Sequence, residues 1–129
     1  GRLTEQKNHI TQLKAIKYIE KKYNPNLVVI GKGYNGKYLK SYIENNNINN
    51  KVQLIGYKKN PFPYIVKSDI LILTSKFEGL PNILLEAQYL KKYIISSSCS
   101  SGPKEILMNG KAGDLFKVNS HKDLAKKIK

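Results

Sequence analysis

Residues 70–87 read ILILTSKFEGLPNILLEA and contain the features that decide the fold. The apolar run Ile70–Leu73 predicts a buried strand, and Pro81 suits the first turn of the helix that follows it. Glu78 then falls in the strand-to-helix loop. Glu86 lies about one turn inside the helix, roughly 7 Å behind its N-terminal end. The sequence therefore predicts a strand–loop–helix unit with one carboxylate in its loop and one in its helix.

This unit offers two kinds of binding group. The start of the helix has free backbone N–H groups and the positive end of the helix dipole, which together suit a phosphate. An ionised carboxylate can only accept hydrogen bonds, so Glu78 and Glu86 suit the hydroxyls of a ribose or of another sugar. The combination indicates a sugar nucleotide.

Apolar periodicity alternates between helix and strand along the rest of the chain. Strands are predicted at 27–30, 52–55, 70–73, 93–96 and 115–117, and those at 27–30 and 70–73 are expected to be buried. Helices are predicted at about 36–46, 62–66 and 81–90, near 103, and from 122 onward. A first helix after Gln6, ended by Pro25, is predicted by residues at helical spacing: Ile10, Leu13, Ile16, Ile19 and Tyr23. The pattern favours one α/β domain with a doubly wound parallel sheet covered on both faces.

Length and cysteine content narrow the class of protein. The 129 residues give room for one domain, and no apolar run approaches the ~20 residues of a membrane span. Cys99 is the one cysteine, which excludes an internal disulfide and fits a reducing compartment. The sequence therefore predicts a cytoplasmic location.

The formal net charge of +14 has three interpretations. It can reflect a lysine-rich composition without a role, a surface that attracts anionic membranes or acidic substrates, or a nucleic-acid interface. Proteins that read bases usually rely on the bidentate geometry of arginine, and Arg2 is the only arginine. The composition therefore argues against nucleic acid as a partner.

The spacing of Glu78 and Glu86 resembles the Glu-x7-Glu element of retaining glycosyltransferases with the GT-B fold, in particular glycosyltransferase family 4. Further segments resemble the family in the same order: 1–3 with 6–7, 27–33, 52–56, 102–107 and 109–113. The resemblance implies a Rossmann-like domain that is one half of a GT-B fold. It also implies that residues 1–129 are the C-terminal nucleotide-sugar-binding domain, a fragment of a larger two-domain enzyme. The first, central strand of such a domain would lie upstream, and its absence would leave a gap in the sheet.

The same resemblance implies a role for each candidate site residue. Glu86 would bind the ribose hydroxyls. Glu78 would be the catalytic residue, contacting the donor sugar or stabilising the charge that develops at its anomeric carbon. Arg2 and Lys7 would hold the donor diphosphate and neutralise its charge, so that no metal or other cofactor is required. The donor sugar and phosphate would contact the loop formed by Gly79, Leu80, Pro81 and Asn82, and the base would lie near Tyr57 and Lys58.

The resemblance implies transfer of a hexose or N-acetylhexosamine with retention of anomeric configuration. The bacterial members that this chain resembles often use UDP-linked donors, so a UDP-linked sugar is expected. The acceptor would be a glycan or a lipid-linked sugar of bacterial surface polysaccharide synthesis, bound through the N-terminal domain. A peripheral contact with the inner face of the cell membrane is consistent with this reaction. The fragment alone is expected to bind the donor without turning it over.

Two other function classes remain as alternatives: a non-catalytic nucleotide-binding module, and a basic nucleic-acid-binding domain.

A dinucleotide site is suggested by the Gly-x-Gly-x-x-Gly motif at residues 31–36. That site needs an acidic residue at the end of the next strand, and residues 55–58 have none. The other interpretation is a tight turn where two backbone segments pass closely. Asn8 departs from the family pattern, which usually has glycine there.

Overall fold

The structure, a computed structural model, describes residues 3–19, 23–76, 82–98 and 113–128. Helices and strands alternate through these ranges. The helices are α1 (His9–Tyr18), α2 (Gly36–Asn45), α3 (Phe62–Lys67), α4 (Asn82–Tyr89) and α5 (His121–Ile128). The strands are β1 (Leu27–Val29), β2 (Val52–Leu54), β3 (Ile70–Leu73), β4 (Tyr93–Ser97) and β5 (Asp114–Phe116).

All the strand pairs in these ranges are parallel. β1 pairs with β2, and β4 lies between β3 and β5. Parallel neighbours need a crossover between them, and α2 supplies it between β1 and β2 as α4 does between β3 and β4. The prediction of an α/β domain built on parallel strands is therefore confirmed.

The strands form two separate sheets in the described part of the chain, one of two strands and one of three. The interruption lies between β1 and β3.

Helix α1 holds the two sheets together. Its residues Leu13 and Ile16 belong to a core cluster with β1, α2 and β2. Its residue Ala15 belongs to a second cluster that contains Ile95 of β4 and Leu124 of α5. The helix therefore buries one side against each sheet, and this fixes the position of the segment that precedes it.

The first helix is shorter than its periodicity predicts. It ends at Tyr18, and Ile19 has an extended backbone at φ −68° and ψ 136°. Ile19 is only 3% exposed and packs in the cluster of Phe116 and Leu124. Extension of the helix to Pro25 was therefore a wrong prediction: burial of Ile19 outweighs continuation of the helical period, as tertiary packing commonly does.

Neither β1 nor β3 is as buried as predicted, and all four residues of β3 are half-buried beside the same cleft as β1. Val28 is 44% exposed, whereas its neighbours Leu27 and Val29 are buried. The reason is that Val28 borders an open cleft instead of a covering helix. The sheet is therefore not covered on both faces at this position.

The bounds of the other elements agree with their predictions to within one residue, a difference typical of helix and strand ends. The helix predicted near residue 103 lies outside the described residues. None of the helices in the described ranges has the length and apolar character needed to cross a bilayer.

Candidate functional site

A cleft of about 940 Å³ lies between β1 and β3. Its floor is apolar, formed by side chains of these two strands and by Ile65 of α3. Polar side chains line it near the carboxyl ends of the strands: Lys7, Tyr34, Tyr57, Lys58 and Thr74. Open α/β sheets bind their ligands at this edge, because the carboxyl ends of parallel strands meet there.

Lys7 lies in a compact turn immediately before α1. The backbone N–H of Asn8 donates to the carbonyl oxygens of Thr4 and Glu5, at 3.3 Å and 3.1 Å. Asn8 has a left-handed backbone, φ 57° and ψ 43°, and is only 3% exposed. Asparagine is one of the few residues besides glycine that tolerate this conformation. The substitution of Asn8 for the usual glycine is therefore compatible with the turn.

The loop after β3 holds this turn in place. The Oγ1 hydroxyl of Thr74 donates to the carbonyl oxygen of Lys7 at 3.0 Å and accepts a bond from Nε2 of Gln12 at 3.1 Å. The backbone N–H of Lys76 donates to the carbonyl oxygen of Gln6 at 2.8 Å. Lys7 is thus fixed beside the loop that leads along the chain to Glu78.

Thr74 and Gln12 were missed at the level of sequence. The available signal was weak: a hydroxyl residue directly after an apolar strand, at the edge where ligands bind. Thr74 is 1% exposed and Gln12 is 7% exposed, so both polar side chains depend on their protein partners.

Replacement of Thr74 by valine should lower the free energy of unfolding by about 1–3 kcal/mol, because it removes the buried hydrogen bonds of the hydroxyl to Gln12 and to the carbonyl oxygen of Lys7. Thr74→Ser keeps the hydroxyl and should retain most of this stability. Urea unfolding of both variants measures the difference. A valine variant as stable as the unmodified domain would contradict this role of the hydroxyl.

The glycine motif at 31–36 is a tight turn in which two backbone segments pass closely. Leu3 donates its N–H to the carbonyl of Lys32 at 3.1 Å and accepts from the N–H of Asn35 at 3.0 Å. A Cβ on Gly33 would lie 2.5 Å from the carbonyl oxygen of Leu3. Gly31 has φ 140°, which L side chains rarely adopt. The close-passage interpretation of this motif is confirmed.

Tyr57 and Lys58 follow β2 and line the same cleft as Lys7. The N–H of Gly31 donates to the carbonyl of Gly56 at 2.8 Å, which joins the glycine turn to the end of β2. Tyr57 is 65% exposed, so its ring is accessible to a ligand. The structure therefore brings together one predicted diphosphate residue and both predicted base residues.

The other predicted residues are described less completely. Glu86 lies on α4 and is half-buried, and it is not among the described residues that line the cleft. Asn82 is the first residue of α4, but its side chain lies outside the part of the chain that the structure describes. Outside the described residues lie Arg2, Glu78, Gly79, Leu80 and Pro81.

His9, the first residue of α1, also lines the cleft. Its Nδ1 is buried and has no hydrogen-bond partner within the described residues. Burial, with a smaller contribution from the positive charge of Lys7, lowers the pKa of His9 to about 4. The side chain is therefore neutral at pH 7. In the described ranges, His, Cys, Asp and Glu side chains form no group of three or more that could hold a metal ion.

Comparison with known proteins gives one family. The model of the family described as glycosyl transferases group 1 matches residues 1–129. An uncharacterized glycosyltransferase of Methanocaldococcus jannaschii is 40% identical over 108 residues, which are 83% of this chain and 27% of the relative. The N-acetylgalactosamine-N,N'-diacetylbacillosaminyl-diphospho-undecaprenol 4-alpha-N-acetylgalactosaminyltransferase of Campylobacter jejuni is 30% identical over 129 residues, 100% of this chain and 35% of the relative. The chain spans about a third of the length of the curated relatives it matches.

Solved structures give the same fold. The lipopolysaccharide outer core galactosyltransferase WaaB superposes with a TM-score of 0.85 at 27% identity, over 99% of this chain and 37% of that one. Anabaena HepE in complex with UDP has a TM-score of 0.88 at 20% identity, over 98% of this chain and 35% of that one. The fold is therefore the Rossmann-like domain of GT-B glycosyltransferases, as predicted. Two further relatives are named as biosynthesis glycosyltransferases, one for capsular polysaccharide in Staphylococcus aureus and one for amylovoran in Erwinia amylovora.

Proposed function

This chain belongs to the glycosyl transferases of group 1, and from that membership we propose that residues 1–129 form the C-terminal, donor-binding half of a retaining glycosyltransferase of family 4. The donor is a UDP-linked hexose or N-acetylhexosamine. The larger enzyme transfers this sugar, with retained anomeric configuration, to a glycan or a lipid-linked acceptor in surface polysaccharide synthesis.

The observation that carries the proposal is the attachment of the Lys7 turn to the loop after β3. Thr74 and Lys76 hold the backbone of this turn by hydrogen bonds of 3.0 Å and 2.8 Å. A cation at this position is well placed to neutralise the charge that builds on a leaving diphosphate, and Arg2 is the second such cation. With these two positive charges at the diphosphate, a metal ion would be unnecessary. Glu78, two residues after Lys76, supplies the carboxylate beside the reacting sugar.

The nucleoside part of the donor extends along the edge of the sheet. The carboxylate of Glu86 accepts hydrogen bonds from the ribose hydroxyls. The exposed ring of Tyr57 and the side chain of Lys58 contact the base, since an aromatic face stacks on any base. The sugar and phosphates contact the loop of Gly79, Leu80, Pro81 and Asn82.

The apolar floor of the cleft has a different role from its polar end. Edge strands with apolar side chains are normally paired or covered, and β1 and β3 both border the cleft. Because the curated relatives are about three times as long as this chain, another segment of the polypeptide is available to fill this floor as a strand. The donor then occupies the polar end, and the N-terminal domain supplies the acceptor site that this domain lacks. The domain alone binds the donor without turnover.

The acceptor places the enzyme at the cytoplasmic face of the membrane. The Campylobacter relatives are named for undecaprenol-diphosphate-linked acceptors, and a lipid-linked acceptor is our proposal for this chain. Lys14, Lys17 and Lys122 are exposed on α1 and α5, and Nζ of Lys122 lies 5.9 Å from the ring centroid of Tyr18. Each lysine near an anionic leaflet contributes about 1 kcal/mol to attraction. We propose these lysines for such a contact.

The proposal is tested by titrating the domain calorimetrically with UDP, GDP and NAD. We expect saturable binding of UDP and none of NAD. Glu86→Ala should weaken UDP binding at least about tenfold, because the ribose hydroxyls lose a charged acceptor. Glu44→Ala is the matched control: it removes an exposed carboxylate from α2 and should leave the affinity unchanged.

If the domain binds GDP more tightly than UDP, the binding site stands as proposed and the base of the donor is guanine. If Glu86→Ala and Glu44→Ala weaken UDP binding equally, Glu86 does not bind the ribose. If no nucleotide binds, the titration is repeated on the chain extended upstream into the longer protein. If the extended chain also binds no nucleotide, the proposed function is contradicted.

A further inference from the structure

Asn8 is bonded to a residue at the far end of the chain. Its Nδ2 donates to Oδ1 of Asn119 at 2.9 Å, across 111 positions of sequence. Asn8 is 3% exposed, and it directly follows Lys7. The amide of Asn119 thus contacts the residue next to the cation that the proposed function assigns to the diphosphate.

The loop that carries Asn119 is well fixed. It joins β5 to α5, and Asn119 has a left-handed backbone with φ 67°. The N–H of Lys117 donates to Oδ2 of Asp123 at 2.8 Å, and the N–H of Asp123 donates to Oγ of Ser120 at 3.2 Å. These bonds cap the start of α5 and hold both sides of Asn119.

Lys7 is consequently held from two elements. Thr74, at the end of β3, bonds to its carbonyl oxygen at 3.0 Å. Asn119, in the β5–α5 loop, bonds to the side chain of the next residue at 2.9 Å. A turn fixed from two sides keeps its cation in one position, and preorganised charge binds an anion more tightly than mobile charge does.

We propose that Asn119, acting through Asn8, is a positioning residue for Lys7 and sets the affinity of the domain for the diphosphate of its donor. The proposal rests on the proposed function, because it requires Lys7 to contact the diphosphate. It predicts that loss of the amide pair weakens binding of ligands that carry a diphosphate and leaves binding of the nucleoside unchanged. A pair that only stabilised the fold would not discriminate between these ligands.

Glycine substitutions test the pair without straining the backbone. Asn8 and Asn119 both have positive φ, so Asn8→Gly and Asn119→Gly keep the allowed conformation and remove only the amide. Asn47→Gly is the matched control, because Asn47 has φ 56° and is exposed in the loop between α2 and β2. The variants and the double variant of Asn8 and Asn119 are titrated by NMR with UDP and with uridine.

We expect each single variant to weaken UDP binding about three- to tenfold, as for loss of one hydrogen bond. The double variant should be no weaker than either single variant, because both remove the same bond. Uridine binding and the Asn47→Gly control should be unchanged. The inference is overturned if the single variants bind UDP as tightly as the unmodified chain does. It is also overturned if uridine binding weakens as much as UDP binding, or if the loss of affinity in the double variant is the sum of the two single losses. Absence of UDP binding by the unmodified chain, and then also by the chain extended upstream, would instead contradict the proposed function, and the inference would fail with it.

Discussion

Replacement of Gly33 by alanine should lower the free energy of unfolding by at least about 3 kcal/mol, a large part of the stability of a domain of this size. The added Cβ would lie 2.5 Å, 2.9 Å and 3.0 Å from the backbone O, N and C of Leu3. These are backbone atoms, so no side chain can rotate away. Leu3 must move, and it is 5% exposed in the core beside β1 and α2 and has hydrogen bonds to Lys32 and Asn35.

Gly36→Ala is the control for this substitution within the same motif. The nearest heavy atom to a Cβ on Gly36 is Cδ1 of the Leu3 side chain at 3.5 Å, an ordinary contact. Gly36 begins α2, where alanine is the better helix former, so this variant should be neutral or slightly stabilised. Chemical denaturation measures both variants. A Gly33→Ala domain as stable as the Gly36→Ala domain would show that the two backbone segments separate easily.

Acidification should lower the stability of the domain through His9. Burial lowers the pKa of His9 from its ordinary value of 6.5 to about 4. Between pH 6.5 and about pH 4, His9 is protonated in the unfolded chain but remains neutral in the folded chain. The stabilisation is therefore fully present above pH 6.5 and is lost as the pH falls to about 4, a change of about 3 kcal/mol.

His9→Gln should remove this dependence, because glutamine does not titrate. The measurement is the free energy of unfolding from neutral pH to about pH 4, and the difference between the wild-type and His9→Gln curves isolates the histidine from the carboxylates. The control is His121→Gln. The pKa of His121 is also lowered, by burial and then by Lys14 and Lys122, but this side chain is less buried than His9, so its effect should be smaller. Parallel curves for wild type and His9→Gln would show that His9 accepts a proton in the folded state.

Several parts of the candidate site could be predicted from sequence. Lys7, Tyr57 and Lys58 were selected by their place in the family pattern, and the three residues line one cleft in the structure. For Tyr57 and Lys58, which follow β2, this works because residues that follow parallel strands meet at one edge of the sheet, so their order along the chain carries spatial information. The roles of Glu86 and of the loop around Glu78 remain predictions.

The contacts that fix Lys7 could not be predicted in this way. Thr74 is 67 positions from Lys7, and Asn119 is 111 positions from Asn8. Asn8 looked like a departure from the family pattern. Its left-handed backbone and its hydrogen bond to Asn119 explain the asparagine at this position, and both exist only in the folded structure.

The sequence by itself determined the alternation of strands and helices, most of their bounds and the membership of the family, because each depends on local apolar periodicity or on motifs within a few residues. Only the tertiary structure decided where α1 ends, where the sheet is interrupted, why Gly33 must be glycine and which side chains hold the Lys7 turn. Each of these depends on contacts between segments that are distant in the chain. Such contacts are set by how whole helices and sheets pack, and the local pattern of residues does not encode that geometry.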